Sequence, residues 1–99
     1  MNIEFKKLEW EETTDKKLVS YKCVNEIKLR DFGFENLQLW YSIFLLLDNH
    51  FYVAGNAMMI KYKNGGFPNI PFKTLEEAKE FVQEYHNNIC KEMINRILS

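Results

Sequence analysis

The chain has 99 residues, 46% of them apolar and 15% aromatic, enough for one self-supporting domain and far from a disordered composition. Thirteen basic against fourteen acidic residues leave a net charge of −1, balanced between the two halves, which argues against a basic nucleic-acid binder and against an acidic DNA mimic. No apolar run approaches the length of a membrane span, since the longest, Leu39 to Leu47, is short and interrupted by Ser42.

In chain order, Ile3 to Glu11 alternates as a strand whose parity changes near Lys6-Lys7, the mark of a bulge or a twisted edge. Glu12 to Lys16 is polar and predicts a turn. Val19, Tyr21 and Cys23 alternate with Ser20 and Lys22, and the alternation resumes with Ile27 and Leu29. This fits one long strand or two strands turning at Val24-Asn25-Glu26. The tolerance of Asn for positive φ favours the hairpin. After a break at 31–36, Leu37 to Leu47 is apolar on both faces and reads as a strand, turning at Asp48-Asn49 into Phe51-Tyr52-Val53. Gly55-Asn56 suggests a bulge, and Ala57 to Lys63 a last strand ended by Asn64-Gly65-Gly66.

Thr74 to Leu98 has the clearest pattern. Thr74 and Glu77 form a capping box, and Glu76 and Glu77 place negative charge at the positive end of the helix dipole. Leu75, Ala78, Val82, Tyr85, Ile89, Met93 and Ile97 make an apolar stripe, with Ile94 and Leu98 adding a second edge. The expected architecture is a single α+β domain over 1–99. Residues 1–70 form a four- to five-stranded antiparallel sheet with its turns, covered on one face by one long C-terminal helix at 74–98. One helix cannot cover both apolar faces of Leu37 to Leu47, so the sheet either curls on itself or presents its second face to a partner. Trp40, Tyr41, Phe44, Phe51 and Tyr52 are expected in the core, or at that interface if the face is open.

The signatures of phosphate, metal and nucleophile chemistry are absent, and no catalytic residue, cofactor or metal site is expected. Cys23 and Cys90 read as reduced core thiols of a cytoplasmic protein without an export signal. His86 is expected in solvent and His50 at a hairpin tip. Two polar surfaces stand out as candidates for a protein partner. One is the acidic stretch of Glu9, Trp10, Glu11, Glu12 and Asp15; the other is the helix face of Glu76, Glu80, Gln83, Glu84 and Asn87. Lys61, Tyr62, Lys63 and Lys73 offer the alternative of a stacking platform for single-stranded nucleic acid.

LEWEE at Leu8 to Glu12 and FKTLEEAKEFVQEYHNNI at Phe72 to Ile89 resemble small uncharacterised phage and prophage proteins. Those begin with a tryptophan-bearing strand and end with a TLEEAK-type helix. The longer apolar centre, Leu37 to Met59, departs from their short strands. The resemblance implies a mobile-element origin and a non-enzymatic accessory protein, in the host cytoplasm if phage-encoded. Such proteins often bind and block a host defence component, as anti-CRISPR proteins do. A small homodimeric structural module is the alternative from another class.

Overall fold

The computed structural model describes residues 7–15, 18–27, 37–59, 62 and 68–98. Four strands, β1 (Glu11–Asp15), β2 (Leu18–Ile27), β3 (Leu37–Leu45) and β4 (Phe51–Gly55), form one antiparallel sheet in the order β1-β2-β3-β4. A 3-10 turn (Asn56–Met59) follows, and the C-terminal helix α1 spans Leu75–Leu98. This is the α+β sheet-and-helix arrangement expected from the sequence, with four strands.

The register sorts the side chains. Cys23, Tyr41 and Gly55 lie side by side across the sheet, as do Tyr21, Ile43 and Val53, and Val19, Leu45 and Phe51. This face meets the helix: Tyr41, Ile43 and Val53 are buried together with Ala78 and Val82 of α1. At Gly55 the approach of the neighbouring strand excludes any side chain. A Cβ there would lie 2.6 Å from Tyr41 Cδ1 and 2.8 Å from the Trp40 carbonyl oxygen.

The helix starts as its capping box predicts, with Thr74 Oγ1 accepting from the Glu77 amide at 3.1 Å. The Glu77 carboxylate reaches one residue further back than expected, to the Lys73 amide at 3.2 Å. The buried line along α1 is Ala78, Val82, His86 and Cys90, at steps of four, flanked by the half-buried Leu75, Phe81, Tyr85 and Ile89. The apolar stripe is therefore centred one position away from the Tyr85–Ile89–Met93 line. The side chains of Ile94, Ile97 and Leu98 lie outside the described residues.

Three strand expectations are corrected. The stretch Glu12 to Asp15, expected as a turn, belongs to β1, and its described predecessors at 7–10 are not in a strand. An edge strand needs partners on one side only, and Thr13-Thr14 suits a pleated surface despite its polarity. The expected hairpin at Val24-Asn25-Glu26 does not form. β2 runs through it, with Asn25 opposite Leu39 and Glu26 opposite Gln38, because a long β3 supplies hydrogen-bond partners along its whole length. The strand expected from Ala57 begins instead as the 3-10 turn, which buries Ala57 and Met58 in the core. Its first residue explains the change. Asn56 accepts from the Trp40 amide through Oδ1 and donates to the Gln38 carbonyl through Nδ2, both at 3.1 Å. One side-chain amide thus continues the pairing of β3 beyond the end of β4. The start of the expected first strand (residues 1–6) and the residues Ile60, Lys61 and Lys63 lie outside the described residues.

Candidate interaction surface

The helix packs on β3 and β4, so the β2 side of the same sheet face needs another cover. Residues 7–10 supply it. Leu8 buries its side chain in the core, and the Glu9 backbone hydrogen-bonds the sulfur of Cys23. The Leu8 amide donates to Gln83 Oε1 on α1 at 2.8 Å, and Gln83 Nε2 donates to Asn87 Oδ1 at 3.0 Å. Gln83 and Asn87, expected as surface contacts, thereby also hold the N-terminal segment against the helix.

Between that segment and the helix lies a cleft of about 360 Å³, lined by Lys7, Leu8, Trp10, Glu76, Lys79, Glu80 and Gln83. It unites members of both surfaces singled out in the sequence: Trp10 from the first, and Glu76, Glu80 and Gln83 from the second. Glu76 and Glu80 are exposed, one helical turn apart. Glu9, Glu11, Glu12, Asp15 and Glu84 are exposed but do not line the cleft. Glu11, Glu12 and Asp15 continue directly from Trp10 along β1, where Glu12 accepts from the Tyr21 hydroxyl at 3.0 Å.

The nucleic-acid alternative gains little from the geometry. The ring of Tyr62 lies against Tyr85 with centroids 6.3 Å apart, and Lys73 is exposed beside the helix start. Lys61 and Lys63 lie outside the described residues.

The second face of the sheet is less apolar than expected. Along it, Lys22 and Ser42 alternate with Val24, Trp40 and Phe44. Trp40, expected in the core or, with this face open, at an interface, is 39% exposed beside the 59% exposed Val24, and Leu18 and Leu46 are also exposed. Of the other aromatic residues, Tyr41 is fully buried, while Phe44, Phe51 and Tyr52 are half-buried.

The sequence reading missed one buried polar group. His86, expected in solvent, is 3% exposed. Its Nδ1 lies 2.8 Å from the Tyr41 hydroxyl and its Nε2 3.6 Å from Cys90 Sγ. The signal was its place in the four-residue ladder with Ala78, Val82 and Cys90. Burial holds the imidazole below its ordinary value and pushes the Cys90 thiol and the Tyr41 phenol up, so all three are neutral near pH 7. A neutral, buried thiol is a poor nucleophile, and the group acts as a hydrogen-bonded tie between β3 and α1. Cys23 and Cys90 are both free thiols in the core, as expected.

Among the described residues no group of three His, Cys, Asp or Glu side chains could hold a metal ion, and no helix is long and apolar enough to cross a membrane. No family model, curated protein or solved structure matches the chain.

Proposed function

We propose that this chain is a non-enzymatic binding protein that works by contact with another protein. Its specific form is the one implied by the resemblance to small phage proteins: a mobile-element accessory protein that blocks a host defence complex such as CRISPR-Cas. The observation that supports protein contact is the cleft in which Trp10 meets Glu76 and Glu80, continuous in the chain with the acidic β1 strand. A half-buried tryptophan framed by polar residues is the composition of an interface anchor. The test is affinity capture from host cells with the wild-type chain and with the double variant Glu76→Gln/Glu80→Gln. A stoichiometric partner retained by the wild type and lost from the variant is the expected result, and absence of any partner counts against the reading.

A second reading is favoured by the open sheet face, where Trp40 and Val24 are exposed opposite each other on β3 and β2. A homodimer would bury them. A solution mass of one chain at micromolar concentration eliminates it.

A further inference from the structure

The two edges of the sheet are treated differently. At the β4 edge, Phe51 and Phe72 exchange backbone hydrogen bonds, at 2.8 and 2.9 Å, so the connector before the helix pairs with the first residue of that strand. At the opposite edge, β1 pairs with β2, and its outer side has no backbone partner among the described residues. An open edge is a template for one more strand.

We propose that β1 and the Trp10 cleft beside it form one docking track for an extended segment of a partner protein bearing arginine or lysine, added to the sheet as a further strand. The inference rests on the protein-contact reading above and gives it a binding mode and a partner chemistry.

Charge selects the occupant. A second copy pairing antiparallel about Thr13 would set Glu11 opposite Asp15, and a parallel in-register copy would stack each acid on itself. Like charges directly opposite each other are destabilising, whereas basic residues on the incoming strand convert the same positions into favourable pairs. The cleft supplies side-chain selectivity where the strand begins, since Trp10 immediately precedes Glu11. The carboxylates of Glu76 and Glu80 have neither a hydrogen bond nor an ion pair among the described residues. A guanidinium stacked on the indole can donate to such carboxylates. Lys7 and Lys79 share the cleft walls, so the charges of the cleft lining itself are balanced, two bases against two acids. With Glu11, Glu12 and Asp15 alongside, the track as a whole stays acidic. Charge on an edge strand also discourages aggregation, so the decisive property is dependence on the partner's main chain.

The probe is a fluorescent peptide alternating arginine and threonine, compared with the same peptide N-methylated at alternate residues. Anisotropy measures affinity, and amide chemical shifts of the full chain locate the site. Saturable binding is expected, with shifts along β1 and at 76–83. N-methylation should weaken binding about tenfold or more, near 1.4 kcal/mol. Glu76→Gln/Glu80→Gln should weaken it similarly, and Glu84→Gln should not. Equal affinity for the methylated peptide would reduce the effect to charge attraction and overturn the track, as would no binding at low salt or shifts confined to the Trp40 face. In the capture experiment, a host partner retained equally by Glu76→Gln/Glu80→Gln would overturn the track while leaving protein binding intact. Strand-like peptide binding with no host partner captured would support the track and sink the wider functional reading.

Discussion

Two residues carry more of the fold than their chemistry suggests. Gly55 sits where the neighbouring strand leaves no room for a methyl group, and one of the atoms in the way is a backbone oxygen that cannot swing aside. Gly55→Ala should therefore destabilise the protein by about 1–3 kcal/mol, read as a lower urea midpoint. The buried His86 makes stability depend on pH. Its folded-state pKa is depressed by desolvation, so as pH falls the unfolded chain takes up the proton first. The contribution is complete above the unfolded value of about 6.5 and is lost below it, until the folded group also protonates. Of the groups that face the ring, the Tyr41 hydroxyl and the Cys90 thiol are neutral and neither offsets a positive charge. Denaturation at pH 7.5 and 5.5 should show a larger loss for the wild type than for His86→Gln. Equal losses would show that the buried imidazole does not contribute.

At the level of elements, the long helix and the β3–β4 hairpin were legible because their signals are local. Thr74 and Glu77 cap as a box, and Asn49 takes the positive φ of 61° that a tight turn needs. β2 was harder to read, because Asn25 and Glu26 near its end look like a turn until β3 is known to run beside them. The strand expected from Ala57 failed for a related reason. What decides that stretch is the contact of Asn56 with residues 16 and 18 positions earlier, which no local pattern encodes. Asn56→Ala should cost about 1–2 kcal/mol through the loss of both bonds, and hydrogen exchange at the Trp40 amide should accelerate. A silent substitution would mean that water replaces the side chain without loss. The candidate surface was half legible: tryptophan and acids marked its residues, but only the folded chain shows which of them share a cleft and that Gln83 and Asn87 fasten it.

On the scale of the whole molecule, one sheet face is shared by two covers, α1 over β3 and β4, and residues 7–10 over β2. Gln83 joins them. Removing its acceptor leaves the half-buried Leu8 amide without its partner, so Gln83→Ala should cost about 1–3 kcal/mol. The loss should appear as faster exchange at residues 7–10 while the β2–β3 ladder stays protected. Uniform loss of protection would instead mean that the two covers and the sheet unfold as one unit.

The hydrogen bond between Leu8 and Gln83 links positions 75 residues apart, whereas the sheet beneath it is a meander of neighbouring strands. During synthesis the sheet can therefore assemble while the cleft still lacks one wall. Trp10 waits until the helix has emerged from the ribosome and docked. Recognition through this surface thus requires the helix to be docked, and a partner bound there would be reading the union of sheet and helix.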